Sequence, residues 1–167
     1  GAMAMMYGNV YVAHIAMGSN DTQTIKAFME AEAWDGPSLI IAYSHCIAHG
    51  YDMVHGLDQQ KLAVNTGYWP LWRYNPALAA EGKNPFKLDS KAPALPLEKY
   101  IYNETRYSML VHSAPETAKA LLTQAQQDVN DKWKFYEQLA QMTVNGGGSN
   151  GDKAEAAPAA EKKEARA

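Results

Sequence analysis

The fold of this chain is decided by one stretch, Ser38-Leu39-Ile40-Ile41-Ala42-Tyr43-Ser44-His45-Cys46-Ile47-Ala48-His49-Gly50. Its first half, residues 38–43, is a short apolar run behind Gly36-Pro37, and this pattern predicts a fully buried strand. Its second half presents two histidines and the only cysteine of the chain, Cys46, before Gly50, which suits a backbone turn. Ligand chemistry in open α/β sheets usually lies just beyond the carboxyl end of a strand. We therefore expect any chemistry of this chain at residues 45–50.

An earlier run of β-branched and aromatic residues, residues 9–15, predicts a second buried strand. Between the two strands, Asn20 and Gln23 have the spacing of a capping box, which marks the start of a helix. The turns that follow carry a largely apolar face made of Ile25, Phe28, Met29 and Glu32. Strand, helix and strand in this order predict a βαβ unit with parallel strands, which are usually covered on both faces. One unit is too small to complete a sheet, so we expect an α/β part of a larger domain.

The second half of the chain changes from β-branched runs to helical periodicity. Residues 52–66 are moderately helical and end at Gly67. The aromatic residues 68–76 predict an edge strand, because Pro70 has no N–H to offer to a neighbouring strand. Residues 84–89 alternate in polarity, and we expect them to pair with that strand in antiparallel fashion.

Two helices are predicted to follow. The first spans residues 96–111, with Pro96 in its first turn. The second begins after Ser113, a predicted N-cap that forms a capping box with Glu116, and runs to about Met142. We expect the two helices to pack as an antiparallel pair.

The composition excludes several classes of protein. A chain of 167 residues with a net charge of -3 lacks the basic footprint of a nucleic-acid-binding domain. No window approaches the roughly 20 apolar residues that span a membrane, and nothing resembles a signal peptide. A single cysteine excludes an internal disulfide framework and favours a reducing, cytoplasmic setting.

Both ends of the chain differ from its centre. Gly1-Ala2-Met3 is typical of the scar left by tag cleavage, so we interpret residues 1–4 as a cloning remnant. Residues 143–167 carry no aromatic side chain and are rich in Gly, Ala, Glu and Lys, which predicts a disordered tail. We therefore expect the folded part at residues 5–142.

The residues after the second predicted strand allow several functions. His45, Cys46 and His49 could contribute to a zinc site, although a structural zinc site needs four ligands in paired spacing. Cys46 could also be a nucleophile with His14 or His55 as its base, but no pattern specifies either pairing. The simplest interpretation of Cys46 is a small buried hydrophobic residue at the end of a strand. The sequence contains no phosphate-binding glycine loop and no nucleophile elbow that would decide between these hypotheses.

Other distinctive residues have structural explanations. We expect Trp69, Trp72 and Tyr74 in the core or at a subunit interface. Asp89 and Lys91 lie near prolines and are expected to be solvated loop charges. Neither group by itself predicts a ligand site.

Five stretches, in order along the chain, resemble the C-terminal portion of pyruvate:ferredoxin (flavodoxin) oxidoreductases. They are residues 7–13 (YGNVYVA), 36–43 (GPSLIIAY), 46–50 (CIAHG), 67–76 (GYWPLWRYNP) and 82–91 (GKNPFKLDSK). The resemblance covers about residues 5–142. It implies that residues 5–67 are the C-terminal part of a thiamine-diphosphate-binding (THDP-fold) α/β domain. Residues 68–142 would then form a C-terminal domain with short strands followed by helices.

The same resemblance implies a cytoplasmic, homodimeric enzyme of anaerobic metabolism. Such an enzyme would oxidatively decarboxylate pyruvate with thiamine pyrophosphate and Mg²⁺ and pass the acetyl group to coenzyme A. Electrons would pass through [4Fe–4S] clusters to ferredoxin or flavodoxin. On this match Cys46 is the fourth thiolate of the cluster nearest the thiamine, and no catalytic residue falls in this chain. The other ligands would lie in the remainder of the same enzyme.

The chain also departs from the family pattern. The family's magnesium–pyrophosphate loop, an early Gly-Asp-Gly followed by Asn, is absent from this sequence. A cluster of this type takes four thiolates, and the chain has one cysteine. We therefore expect an excised piece of a multidomain oxidoreductase that binds no cofactor and is inactive alone. The alternative is a stand-alone interaction or binding module that reuses the fold, with residues 68–74 as its interface.

Overall fold

A computed structural model describes residues 1–143 of the chain. The predicted disordered tail, residues 143–167, lies outside the described residues except for its first member. The described part combines one four-stranded sheet with seven α-helices. Within it, no helix has both the length and the apolar composition required to cross a lipid bilayer.

The sheet is mixed, and its strand order is β2-β1-β3-β4. β1 (Tyr11–Ile15) pairs in parallel with β2 (Ser38–Ala42), which confirms the predicted parallel strands. β3 (Trp72–Tyr74) pairs antiparallel with β1, and β4 (Phe86–Leu88) pairs antiparallel with β3, as the alternation of residues 84–89 predicted. The sheet contains strands from both sides of the expected domain boundary after residue 67, and that division stays a prediction.

Two strands occupy positions that differ from the prediction. β2 is an edge strand whose residues are exposed or half-buried, so the prediction of a fully buried strand at residues 38–43 is wrong. β3 was expected at an edge but lies inside the sheet, because Pro70 precedes the strand and takes no place in its hydrogen bonding. The buried strand is β1, which has a neighbour on each side.

The α-helices are α1 Ala2–Met5, α2 Asp21–Ala33, α3 Gly56–Asn65, α4 Pro76–Ala80, α5 Glu98–Ile101, α6 Thr105–Ser113 and α7 Pro115–Gln141. Two short 3₁₀ helices, Ile47–His49 and Met53–His55, lie between β2 and α3. The single helix predicted at residues 96–111 is therefore divided into α5 and α6. The long final helix is confirmed.

α2 begins as predicted but buries a different face. The backbone N–H of Gln23 donates to the side chain of Asn20 (2.9 Å), which confirms the N-cap. The Gln23 side chain donates to the carbonyl of His14 (3.4 Å), so the second half of the capping box does not form. Ala27 is fully buried. The largely apolar face noted in the sequence is not the buried one, because Ile25, Phe28 and Met29 are each more than half exposed.

The start of α7 does not use the predicted cap. Ser113 is the last residue of α6, and its hydroxyl donates to the carbonyl of Met109 (3.1 Å). Ala114 is the N-cap and makes no side-chain hydrogen bond, so the predicted capping box with Glu116 is wrong. Pro115 occupies the first turn, where its missing N–H removes no helical hydrogen bond. α6 contacts α7, and with α5 they line an apolar cavity of about 390 Å³.

The aromatic residues around β3 pack in the core, as predicted. Trp72 is fully buried and contacts Tyr136 of α7. Tyr74 is half-buried against the same cluster. The indole N–H of Trp69 donates to the carbonyl of Ile15 (3.0 Å), which ties the segment before β3 to the end of β1.

A buried ion pair lies between α2 and the sheet. The Arg73 guanidinium donates two hydrogen bonds to Asp89 (2.7 and 2.8 Å) and also contacts the carboxylate of Glu30. The Tyr11 hydroxyl donates to Glu30 (3.1 Å). Asp89 is therefore not the solvated loop charge that was predicted, because it neutralises a buried arginine. Lys91 is exposed, as predicted.

Candidate functional site

The candidate site is the loop of residues 44–52, which leaves the carboxyl end of β2 and is called the site loop below. Pairing with β1 extends just beyond β2, because the Tyr43 N–H donates to the last carbonyl of β1 (2.9 Å). Cys46 then takes an extended conformation and precedes the 3₁₀ helix. Gly50 has a φ of 74°, in the left-handed region that favours glycine, which confirms the predicted turn. The site loop is thus anchored to the sheet at one end and turned back at the other.

Cys46 carries a free thiol and is partly exposed, which contradicts its interpretation as a buried hydrophobic residue. Its two proposed bases have other partners. His14 Nδ1 lies 2.6 Å from the Pro70 carbonyl oxygen, and burial lowers the pKa of His14 to about 4. His55 Nδ1 lies 3.3 Å from the Asp58 carboxylate on the surface. The nucleophile hypothesis therefore gains no base from either histidine.

Gln60 on α3 connects the site loop to the loop that follows β1. Its Oε1 accepts a hydrogen bond from the Gly18 N–H (2.8 Å), and its Nε2 lies 3.0 Å from His45 Nδ1. The Gln60 side chain is buried. Sequence reasoning missed this residue, because nothing in the pattern distinguishes Gln60 from the neighbouring Gln59.

Two glycines let the site loop approach the helices closely. A Cβ placed on Gly56 would lie 2.5 Å from the His45 ring, and one on Gly50 would lie 2.0 Å from the Thr105 hydroxyl oxygen. Both distances are far shorter than ordinary van der Waals contact, so a larger residue would displace the loop. The site loop therefore packs directly on the start of α3 and the start of α6.

A polar network lies where the site loop leaves the sheet. Glu104 is fully buried and accepts hydrogen bonds from Gln59 (3.2 Å) and Arg106 (2.6 Å). The hydroxyls of Tyr43 and Tyr100 are 2.7 Å apart, and the Tyr43 hydroxyl also lies 3.5 Å from Glu104. Burial raises the pKa of Tyr43 to about 12, so its hydroxyl stays neutral. Sequence reasoning missed Glu104, because it was assigned to the interior of a continuous helix.

The Tyr51 hydroxyl is a further unusual group in the site loop. Its oxygen is buried and has no hydrogen-bond partner of ordinary geometry among the described residues, although the Cys46 backbone approaches it. Burial raises the pKa of Tyr51, and the Cys46 backbone opposes that rise. The Tyr51 hydroxyl therefore lies beside the Cys46 backbone, and its own proton has no acceptor among the described residues.

The described residues contain one free thiol, that of Cys46, and no complete metal site. No group of three or more His, Cys, Asp or Glu side chains among them could hold a metal ion, which gives no support to a zinc site or to a Mg²⁺ site within this part of the chain. A [4Fe–4S] cluster takes four thiolates, of which Cys46 could supply one. The Cys46 thiol is partly exposed, so a group outside the described residues could reach it.

Comparison with known proteins identifies relatives of the chain, although no protein-family model matches it. The chain is 57% identical over 140 residues to a pyruvate-flavodoxin oxidoreductase of Nostoc sp.. It is 55% identical over 161 residues to a putative pyruvate-flavodoxin oxidoreductase of Synechocystis sp.. It is also 50% identical over 141 residues to a pyruvate:ferredoxin oxidoreductase of Moorella thermoacetica.

These matches cover 84%, 96% and 84% of this chain, respectively. They cover 12%, 13% and 12% of the relatives, so the chain spans a small part of their length. With 50–57% identity over most of its residues, the chain belongs to the family of pyruvate-flavodoxin and pyruvate:ferredoxin oxidoreductases, as one segment of such a sequence.

Proposed function

We propose that this chain works as part of an enzyme that oxidatively decarboxylates pyruvate to acetyl-coenzyme A and CO₂. The observation that carries the proposal is the identity of 50–57% with oxidoreductases named for pyruvate and for flavodoxin or ferredoxin. Thiamine pyrophosphate, Mg²⁺ and [4Fe–4S] clusters would supply the chemistry, and ferredoxin or flavodoxin would accept the electrons. The setting that we propose is a cytoplasmic homodimer of anaerobic metabolism, and the chain alone is inactive.

Within that enzyme, Cys46 serves as one thiolate ligand of the cluster nearest the thiamine. Soft anionic sulfur suits iron, and a ligand of this kind needs a fixed backbone to hold its position. The strand pairing at Tyr43 and the turn at Gly50 support such a role, because they anchor both ends of the segment that carries Cys46. The Tyr51 hydroxyl could donate to a cluster sulfur, and such hydrogen bonds tune reduction potentials.

Two exposed surfaces support the remainder of the same enzyme as the partner of this chain. The outer edge of β2 pairs with no strand of the described residues, and unpaired N–H and C=O groups at an edge invite further pairing. The exposed apolar side chains of α2 include Phe28, and such surfaces usually mark an interface. Because the chain spans only 12–13% of its relatives, residues outside it are available to cover both surfaces.

The alternative of a stand-alone binding module is not favoured. It requires residues 68–74 as an interface, but Leu71, Trp72 and Arg73 in that segment are buried within the chain itself. A partner could reach them only by displacing the core.

The proposal is tested by replacing Cys46 with Ala in the full-length enzyme. We expect iron to be lost from one cluster and electron transfer to stop, because alanine offers no ligand atom. Iron content and electron paramagnetic resonance of the reduced enzyme measure both effects. Ser44→Ala, an exposed position in the same loop, is the matched control and should leave both unchanged. Normal iron content and an unaltered spectrum in Cys46→Ala would refute the assignment.

A further inference from the structure

We infer that Gln60 is a positioning residue, which holds the site loop and its Cys46 against the loop that follows β1. The inference deepens the proposed function, since its consequence at a cluster depends on Cys46 being a ligand. The two hydrogen bonds of Gln60, to Gly18 and to His45, are called the clasp below. The clasp depends only on contacts within this chain. Gln60 reaches both loops from α3, and each loop follows the carboxyl end of one of the two parallel strands.

The hydrogen bonds define the orientation of the Gln60 amide and of its partner. The backbone N–H of Gly18 can only donate, so the atom of Gln60 that faces it is the oxygen, Oε1. The amide nitrogen Nε2 then faces His45 Nδ1, and because an amide NH₂ group only donates, Nδ1 accepts. With Nδ1 as the acceptor, the ring proton of His45 lies on Nε2. The Gln60 side chain thus determines both the contact between the two loops and the tautomer of His45.

Close packing leaves the clasp little freedom to move. The side chain of Gln60 is 5% exposed. A Cβ on Gly18 would lie 3.0 Å from Gln60 Oε1, and one on Gly56 would lie 2.5 Å from the His45 ring. Because His45 directly precedes Cys46 in the chain, a fixed imidazole restricts the backbone that carries the thiol.

The contact with Gly18 provides a direct measurement. The Gly18 N–H donates to Gln60 Oε1, so its hydrogen exchange reports this bond. In the 167-residue chain, we expect Gln60→Leu to speed exchange of the Gly18 amide at least about tenfold, which corresponds to about 1.4 kcal/mol. Alkylation of the Cys46 thiol by iodoacetamide should accelerate severalfold, because the site loop loses its tether.

The variant Gln60→Glu separates the two halves of the clasp. A carboxylate still accepts from Gly18, so exchange of that amide should stay slow. It cannot donate to His45, so His45 Nδ1 should itself carry a proton and donate it to the carboxylate, which nitrogen-15 chemical shifts detect. Loss of side-chain volume or of stability alone would not move this proton.

Gln59→Leu is the matched control. Gln59 has the same side chain, is equally buried and is adjacent on α3, but it bonds to Tyr100, Asn103 and Glu104. Gln59→Leu should leave hydrogen exchange of the Gly18 amide and the tautomer of His45 unchanged. Circular dichroism verifies that each variant is folded. Unchanged Gly18 exchange in a folded Gln60→Leu chain, or an unchanged His45 tautomer in Gln60→Glu, would overturn the inference.

The full-length enzyme distinguishes failure of this inference from failure of the proposed function. If both hold, Gln60→Leu keeps most of its iron but shifts the spectrum or reduction potential of one cluster, whereas Cys46→Ala loses that cluster. If Cys46→Ala loses iron and Gln60→Leu matches the wild type, the positioning role is wrong and the proposed function stands. If Cys46→Ala keeps its iron, the proposed ligand is wrong, and the exchange data alone decide the clasp.

Discussion

Arg73 carries a positive charge into the interior of this small sheet. Its side chain is 5% exposed, and its partners Asp89 and Glu30 are 9% and 24% exposed. The hydrogen bonds to Asp89 raise the pKa of Arg73, so the guanidinium stays charged. A charge held away from water in this way depends on its partners, because removing one partner leaves the other uncompensated.

We therefore expect Asp89→Asn to lower the free energy of unfolding by about 3 kcal/mol. The exposed pair of Lys83 and Glu81 is the natural comparison, and Lys83→Ala should cost less than about 1 kcal/mol. Urea denaturation of the chain measures both values. Similar losses in the two variants would contradict the idea that burial makes the Arg73 pair important.

At the scale of residues, the sequence reveals a residue whose type is rare in the chain. It does not reveal a residue whose role depends on a distant partner. Cys46 could be singled out because it is the only cysteine and follows a predicted strand. Gln60 could not, since its role depends on Gly18, which is 42 positions away in the chain. Asp89 was misjudged for the same reason, because its partner Arg73 becomes its neighbour only when β3 pairs with β4, directly before Asp89.

At the scale of elements, α2 has one face that meets the sheet and another that meets solvent. Ala27 is fully buried, whereas Phe28 at the next position is 56% exposed. These two adjacent residues of α2 therefore lie in opposite environments, one buried against the sheet and the other exposed to solvent. If the remainder of the enzyme covers the outer face, Phe28 should matter only in the full-length protein.

We expect Phe28→Gln to change the unfolding free energy of this chain by no more than about 0.5 kcal/mol. Ala27→Gln, the matched control, should destabilise it by about 2 kcal/mol or more, because a larger polar side chain enters a packed site. In the full-length enzyme, Phe28→Gln should also lower the thermal stability. Denaturation curves of both proteins provide the measurement. A strongly destabilised Phe28→Gln chain would place that side chain inside the chain's own core.

Elements with local signals were predictable, and their surroundings were not. The start of α2 follows from its N-cap Asn20, and the length of α7 follows from its helical periodicity, although its predicted cap is wrong. The burial of β2 cannot be predicted from local signals, because the same apolar residues suit the centre or the edge of a sheet. Sequence identifies residues 38–43 as a strand, but only the neighbouring strands determine what covers it.

At the scale of the whole molecule, the described residues form one sheet with β2 and β4 at its two edges, and Cys46 is the single candidate for a cluster ligand. The metal–pyrophosphate loop of the resembled family is absent from the sequence of this chain. Without carboxylate and carbonyl ligands to hold Mg²⁺ on the phosphates, binding of thiamine pyrophosphate has no anchor.

We therefore expect calorimetric titration of this chain with thiamine pyrophosphate and Mg²⁺ to give no saturable heat, and we expect no pyruvate oxidation. The full-length enzyme, titrated under the same conditions, serves as the positive control. A dissociation constant in the low micromolar range for the chain would mean that the site has been placed in the wrong part of the enzyme.

β1 lies inside the sheet although it precedes its partners in the chain. Its pairing with β2 joins Tyr11 to Ser38, whereas its pairing with β3 joins Ala13 to Arg73 across roughly twice as many residues. Doubling a loop adds only about 0.6 kcal/mol to the entropy of closing it, so the distant partner is not much harder to reach. The two pairings differ in when they can form during synthesis on the ribosome, because β2 is synthesised before β3. β1 is the most buried of the four described strands, and it leaves the ribosome before β2, β3 and β4, so in a nascent chain it is exposed to aggregation until these partners follow.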